Sequence, residues 1–520
     1  MSAGQPVLVV GGGPVGLMAA LLLARWRVPT VILEAKPTRE LVGSKSICVQ
    51  RDVLDIYHRV GVAEALMREG VTWQVGRTFY REHELFTITF PDPGRSAYPG
   101  FINIGQSSVE RELESAVAKQ PLVDLRYAHT VTAVSQDGTG VRVRAQTPTG
   151  IVEVTGTHLV AADGSHSAVR DRLRLDFEGH SFADLFLIAD IRTDLPFGAE
   201  RRFYFDPEWN PGRQVLAHPQ PDSVWRIDWQ VPEGFDLAAD QASGRLDERI
   251  RRIVGDASYE IVWVSLYRFQ QRMASRMRVG RVLLAGDAAH LMAPFGARGL
   301  NSGVQDAENA AWKIAFDRAG WAGTELLASY QHERAAAARE NLRVTGDTMR
   351  FLVPQSDAEW AWRREVLECA VSDPDARAQV NSGKLAEPYW YLDSPLTTGS
   401  PLQDFPTGPG QPRPPVAGVL CPDAPVSIPA EPSITRLREL FGTGLTVLGH
   451  AITPTVDIEA PTRQYRLDLI DHDGLAAEAL RAAPGWCAVV RPDGHLAAVL
   501  HDPDADSLRA ALDRARGCPA

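Results

Sequence analysis

Residues 6–34 read in turn as strand, glycine turn, helix and strand, and that order commits the chain to a dinucleotide-type α/β fold. The apolar residues 6–10 run into Gly11-Gly12-Gly13-Pro14-Val15-Gly16. The helix that follows carries Leu17, Met18, Ala20, Leu21 and Leu22 and stops before Pro29, where a second strand leads to Glu34. Each glycine has a physical task. Gly11 permits the tight turn, Gly13 lets a pyrophosphate approach the backbone, and Gly16 lets the helix pack on the strand, with Val15 between them. The helix N-terminus offers free N–H groups to phosphate. Glu34 closes the second strand, where a carboxylate accepts from a ribose hydroxyl.

Two later segments extend this pattern. Asp163-Gly164-Ser165-His166-Ser167 is the first. The second runs from Arg281 to Lys313 and reads RVLLAGDAAHLMAPFGARGLNSGVQDAENAAWK. It opens with an apolar strand that Gly286-Asp287 terminates, so Asp287 can accept from the ribityl hydroxyls of a flavin. A glycine-punctuated loop from Pro294 through Gly299 and Leu300 then enters a helix at Asn301. Amides at that helix start suit the N1–C2=O edge of an isoalloxazine, where reduction places negative charge. Together the three segments specify FAD.

Composition sets the outer limits. A chain of 520 residues exceeds one compact core, so two or three domains are expected. The net charge of −11 argues against a nucleic-acid partner. No long uninterrupted apolar stretch and no leader-like segment are visible, so the chain reads as cytoplasmic with no membrane span. Cys48, Cys369, Cys421, Cys487 and Cys518 lack any metal-type spacing, and no metal is expected. Strand-like alternation fills residues 175–275, including Val224-Trp225-Arg226-Ile227-Asp228-Trp229-Gln230-Val231, which puts Arg226, Asp228 and Gln230 on one face. Helices are expected over residues 51–67 and 302–350. Residues 396–433 are rich in Pro and Gly, as a linker is.

These motifs resemble those of the para-hydroxybenzoate hydroxylase family of flavoprotein aromatic hydroxylases, over residues 6–345. The resemblance implies an α/β chain. A Rossmann-like FAD-binding domain spans residues 1–74, 101–175 and 276–395, with a mainly β substrate domain inserted at 75–100 and 176–275. After the linker, residues 434–520 resemble the thioredoxin-like appendage of phenol-hydroxylase-type members. Without a CxxC, that domain is expected to have a structural or homodimer-supporting role.

The family pattern puts Asp163 against FAD and the nicotinamide cofactor, with Arg170 as the trailing arginine. It puts Gln106 near the ribityl and pyrophosphate, Asp287 on the ribityl chain, and Pro294, Gly299, Leu300 and Asn301 around the flavin ring. Lys45 stands where an arginine usually meets the phosphates, keeping the charge but losing the bidentate fork. Arg226 falls where an arginine faces flavin and substrate, with Asp228 beside it. His218, Tyr204 and Trp209 are further pocket candidates.

The implied reaction consumes NADH or NADPH and O2. It hydroxylates a phenol or a hydroxylated heteroaromatic such as a pyridinol through a flavin C4a-hydroperoxide, with no nucleic acid involved. The Pro294 carbonyl, Asp228 or a histidine would assist deprotonation of the substrate hydroxyl. Baeyer–Villiger insertion or epoxidation on the same scaffold, and a non-enzymatic FAD-binding protein, stay open as alternatives. A halogenase fits less well, because Trp225-Arg226-Ile227-Asp228-Trp229 lacks that class's Trp-x-Trp-x-Ile-Pro pattern.

Overall fold

A computed structural model of the protein describes residues 4–39, 46–90, 96–195, 197–399, 402–451 and 453–519. Its first large layer is a six-stranded sheet in the order Arg278–Val279, Val282–Leu284, Leu159–Ala161, Val7–Val10, Thr30–Leu33 and Val123–Arg126. All neighbours are parallel except the first pair. Val7–Val10 and Leu159–Ala161 are buried at every position. A parallel sheet covered by helices on both faces requires such uniformly apolar strands. Helix Pro14–Arg25 packs against helices Gln106–Ala118 and Arg298–Ala319.

The second large layer is an eight-stranded sheet ordered His290–Leu291, Glu260–Ala274, Phe177–Arg192, Val224–Val231, Gln214–Pro219, Glu200–Phe205, Val75–Tyr80 and His83–Thr89. Its two faces differ in chemistry. Trp225, Ile227 and Trp229 pack with Leu187, Ala189 and Val215 under Leu246, Ile250 and Val254 of the helix Arg245–Val254. Phe186, Ile188, Phe203 and Leu216 point the other way and join Ala293 and Phe295 in a second cluster. The strand His290–Leu291 pairs with Glu260–Ala274, so the end of the third motif is stitched into this sheet.

Two helical expectations need correction. Residues 51–67 form two helices, Arg51–His58 and Ala63–Glu69, broken where Gly61 takes φ +73°. Residues 302–350 belong to helices Arg298–Ala319 and Glu325–Leu352, separated at Gly320 with φ +74°. A left-handed glycine ends a helix by offering its N–H to the last carbonyls, and the Gly320 N–H donates to Asp317 O at 3.2 Å.

The C-terminal sheet orders Thr462–Arg466, Leu445–Gly449, Trp486–Val490 and Leu496–His501, with helix Ala505–Ala515 packed on the last two strands. Cys421, Ala424, Val426 and Ile428 enter its core, so part of the Pro- and Gly-rich stretch is packed structure. This unit is fastened to the helices Arg298–Ala319 and Glu325–Leu352 by buried charge. Glu333 accepts from Lys313 Nζ at 2.6 Å, from Arg491 Nη2 at 2.9 Å and from Ser394 Oγ at 2.6 Å. Asp493 accepts from the Trp312 indole at 3.1 Å. Burial alone would raise the Glu333 pKa, but Arg491 and Lys313 outweigh it and hold the carboxyl well below its usual range. Beside it, Arg334 donates to Asp306 at 2.6 Å, and Asp306 accepts from the Gly286 N–H at 3.0 Å.

Candidate active site

The three sequence motifs meet at one place. A methyl group on Gly11, whose φ is +104°, would stand 2.3 Å from the Ala162 carbonyl oxygen, so the first motif lies directly on the backbone that leads into Asp163. A methyl on Gly16 would stand 2.0 Å from the Gly11 carbonyl oxygen. Val15 reaches the third motif: methyl groups on Gly286 and Gly303 would lie 3.0 Å and 2.6 Å from its Cγ2. Gly13 differs, since a methyl there would meet nothing within 4 Å. It caps helix Pro14–Arg25 with no side chain of its own. Closely packed glycines around one open glycine at a helix N-terminus form a cradle of the size and polarity that a pyrophosphate needs.

Glu34 turns its carboxylate back over this turn, accepting from Gly12 N–H at 2.6 Å and Lys36 N–H at 2.9 Å. Gln106 begins helix Gln106–Ala118, donates from Nε2 to Glu110 at 2.8 Å, and is joined through its N–H to Ser46 O. Lys45 lies outside the described residues. The Asp163 carboxylate is already occupied by its own loop, accepting from Ser167 Oγ at 2.6 Å and Val169 N–H at 3.0 Å. Burial pushes its carboxyl up, against those hydrogen bonds. Asp163 therefore shapes the second motif with its side chain. Arg170 is likewise structural. It donates to Ser165 O at 2.9 Å and Ala288 O at 3.2 Å and lies over the Phe177 ring.

In the third motif, Asp287 is exposed within the short 3-10 turn Gly286–Ala288. The loop after it is anchored from several sides. Asn301, 1% exposed, donates to Cys48 O at 2.9 Å and Ala297 O at 2.6 Å and accepts from Gln50 N–H at 3.0 Å. Its side chain is thus a strut under the loop. Gly299 and Leu300 occupy the first turn of helix Arg298–Ala319, whose amides have no acceptor within the helix. A methyl on Gly299 would meet nothing within 4 Å. This open face of amides suits the electron-rich edge of a flavin. The exposed Pro294 accepts from the Ala297 N–H at 3.1 Å, so its carbonyl closes a turn. A carbonyl oxygen accepts hydrogen bonds but does not take up a proton near neutral pH, so any assistance from Pro294 is as a hydrogen-bond acceptor.

The polar face of the eight-stranded sheet looks toward this loop. Across it, Trp263, Asp190, Arg226 and His218 follow one another in register, and Ile188, Asp228, Leu216 and Phe203 form the next row. Arg226, 2% exposed, makes a two-pronged pair with Asp190, both bonds 2.7 Å long. Asp228, two residues along the same strand, has no hydrogen-bond partner among the described residues, and its Oδ1 is buried. Burial pushes its carboxyl up to about 7; Arg226 and Arg201 oppose that rise and Asp190 adds to it. His218 is held well below its ordinary value by burial and by Arg201 and Arg226, so it is neutral.

Tyr204 and Trp209 do not belong here. Both pack on the outward face, with Phe79 stacked on Tyr204. Arg201 and Asp190 were not foreseen, and neither was the segment 382–386. That segment bridges sheet and loop: Arg201 donates to Ser382 O at 2.9 Å, Arg298 to Lys384 O at 3.2 Å, and Ala386 N–H to Gly296 O at 2.9 Å. Its sequence carries no signal for this, because the contacts run through backbone carbonyls. Among the described residues there is no group of metal-ligating side chains, and no helix is long and apolar enough to cross a membrane.

A nucleotide cradle joined to a flavin-edge loop, facing a β-sheet floor, defines a flavoprotein monooxygenase architecture. The FAD binding domain family model matches residues 5–345, and the chain belongs to that family. The 6-methylpretetramide 4-monooxygenase of Streptomyces rimosus is 30% identical, over 95% of this chain and 90% of its own length. Two solved structures share the fold. The flavin-dependent monooxygenase PieE, in complex with FAD and substrate, has a TM-score of 0.84 at 22% identity and covers 100% of both chains. Aklavinone-11 hydroxylase, with FAD and aklavinone, has a TM-score of 0.79 at 24% identity and covers 99% of both. The protein is an FAD-dependent aromatic monooxygenase that draws on NAD(P)H and O2, and oxygen insertion into a phenolic ring is favoured over the alternative chemistries.

Proposed function

We propose that this enzyme hydroxylates a fused-ring phenol held between the loop at residues 294–300 and the row containing Arg226 and Asp228. The observation that carries this reading is the convergence of Gly11 on Ala162 and of Val15 on Gly286, which leaves one cradle for FAD beside the polar sheet face. In that cradle, the amides of the Gly13 turn and the start of helix Pro14–Arg25 hold the pyrophosphate. Glu34 meets the adenosine ribose, Gln106 and Asp287 the ribityl side, and Gly299, Leu300 and Asn301 present backbone to the flavin edge.

Bound FAD supplies the redox chemistry, passing reducing equivalents from NAD(P)H to O2 and one oxygen atom to the ring. The chain's own contribution is positioning and proton control. Asp228, when ionised, accepts the proton of the substrate hydroxyl, which makes the ring more electron-rich at the carbon to be attacked. Arg226, fixed by Asp190, holds positive charge beside Asp228 and keeps its pKa near the working pH rather than higher. Phe186, Phe203, Phe295 and Ile188 exclude water from the ring.

The fused-ring choice rests on the Streptomyces rimosus relative, which acts on 6-methylpretetramide and aligns with nearly the whole chain. An antibiotic-type biosynthetic step in the cytoplasm, where NAD(P)H is available, is consistent with that. The test is NADH and NADPH oxidation by the purified yellow protein across one-ring phenols, pyridinols and three- or four-ring phenols, with product mass read in parallel. Oxidation stimulated most by a fused-ring phenol that gains one oxygen supports the reading. Stimulation by one-ring phenols or pyridinols alone refutes the fused-ring choice.

A further inference from the structure

Arg201 stands out in the sheet floor because no carboxylate among the described residues pairs with it. It precedes Arg202, which pairs with Ala217, so it sits on the same face as Phe203 and beside His218. Its guanidinium lies over the Phe203 ring, 5.0 Å from the centroid. One of the five N–H donors of an arginine goes to Ser382 O, and that is its only hydrogen bond among the described residues. Arg226, by contrast, is neutralised by Asp190. Arg201 is half-buried, and the burial it has lowers its pKa to about 10.

The second orphan is Asp228. Arg201 and Asp228 feel each other electrostatically, but no contact of 4 Å or less joins them. Two mutually attracted, unpartnered groups on one face, held apart by the sheet, leave room for something that bridges them. A single hydroxyl satisfies only Asp228. Arg201 needs an acceptor, and preferably a negatively charged one.

Building on the phenol reading above, we propose that the substrate carries an acidic oxygen, a carboxylate or an ionised enol, next to the hydroxyl that Asp228 accepts from, and that Arg201 binds this oxygen. The edge recognised is therefore a hydroxyl and an anionic oxygen side by side. Arg201 is a specificity residue that touches substrate, and His218, neutral between the arginines, adds no competing charge.

The test measures binding of two probes to the FAD-loaded enzyme by the change in flavin absorbance: 1-hydroxy-2-naphthoate, which has the paired edge, and 1-naphthol, which lacks the acid. The native enzyme is expected to prefer the acid by roughly tenfold or more, as a charge-assisted hydrogen bond implies. Arg201→Gln is expected to bring the ratio of the two dissociation constants close to one. Arg201→Lys, which keeps the charge and serves if the glutamine variant does not fold, is expected to retain an intermediate preference.

An unchanged ratio in Arg201→Gln, with both probes weakened alike, means that Arg201 merely supports the segment at Ser382 and overturns the proposal. So does a native enzyme with no preference for the acid. Oxygen insertion into a phenol without acid preference leaves the hydroxylase reading standing and removes only Arg201's role. Acid preference without any oxygen insertion supports Arg201's role and removes the reading of these probes as substrates.

Discussion

Arg226 commits its guanidinium to Asp190 through two hydrogen bonds of 2.7 Å and leaves Asp228, on the same face of its own strand, without a hydrogen-bond partner among the described residues. Strand alternation points to an Arg226–Asp228 pair, but residues two apart on a strand stand side by side along it. A residue directly across an antiparallel pair is closer, and Asp190 holds that position opposite Arg226. The consequence is functional: a carboxyl free to take a proton lies beside a fixed positive charge.

Asp228 sets a pH dependence of catalysis. Its carboxyl, pushed up to about 7, must be ionised to accept a proton, so kcat/KM is expected to rise with pH through about 7. The charged groups around it are Arg226, Arg201 and Asp190, and His218 stays neutral. Asp228→Asn is expected to lose this limb and to lower kcat/KM at pH 8 by roughly a hundredfold, the lower range for a general base, with FAD content unchanged. Pre-steady-state and steady-state pH profiles check it.

The same residue affects stability with a defined sign. Its folded pKa, about 7, is raised above the ordinary value of 3.8, so the fold favours the protonated form. That contribution is fully present below about pH 4 and is lost as pH rises through about 7. Asp228→Asn should therefore gain melting temperature relative to the native protein between pH 5 and pH 8. Thermal unfolding of both proteins at the two pH values measures this difference.

Gly13 and Gly11 separate cofactor binding from folding. Nothing lies within 4 Å of a methyl on Gly13, so Gly13→Ala is expected to cost at most about 1 kcal/mol of stability, the penalty for alanine at a helix cap. It would nonetheless occupy the cradle and weaken FAD binding by roughly tenfold or more. Gly11→Ala strikes the Ala162 carbonyl at φ +104° and is expected to lower the melting temperature as well. FAD titration of the apoprotein beside thermal melts tests both.

Arg491→Met breaks the joint between the C-terminal sheet and the helix Glu325–Leu352. It removes hydrogen bonds to Glu333 and Asp493, both buried, and is expected to cost about 3–5 kcal/mol. Because Glu333 neighbours Arg334, and Arg334 reaches the Gly286 turn through Asp306, loosened FAD should accompany the loss. Limited proteolysis releasing the C-terminal unit, together with FAD content, provides the readout.

The glycine turns and helix starts of the candidate site were legible because their chemistry is local. Gly11 to Gly16 declare their turn whatever surrounds them, and the strand ending at Gly286-Asp287 does the same. The alternation that separates Trp225, Ile227 and Trp229 from Arg226, Asp228 and Gln230 is local too. What escaped was long-range. Asp190 meets Arg226 through strand register, Arg201 lies one intervening strand away from the strand of Asp228, and residues 382–386 act through carbonyls that any sequence supplies. The hold of Asp163 on its own loop escaped for a related reason. A carboxylate after a strand serves a ligand or its own loop equally well, and here Ser167 and Val169 claim it. The helix breaks at Gly61 and Gly320 were marked by glycine but masked by apolar periodicity on both sides.

Everything above turns on the transfer of one oxygen atom from O2 to a phenolic ring. The most direct measurement is turnover of the FAD-loaded enzyme with NAD(P)H and a fused-ring phenol under isotopically labelled O2, with the product read by mass spectrometry. Substrate-stimulated NAD(P)H oxidation and one labelled oxygen on the ring are expected. Label absent from the product, or NAD(P)H oxidation that no phenol accelerates, would contradict it.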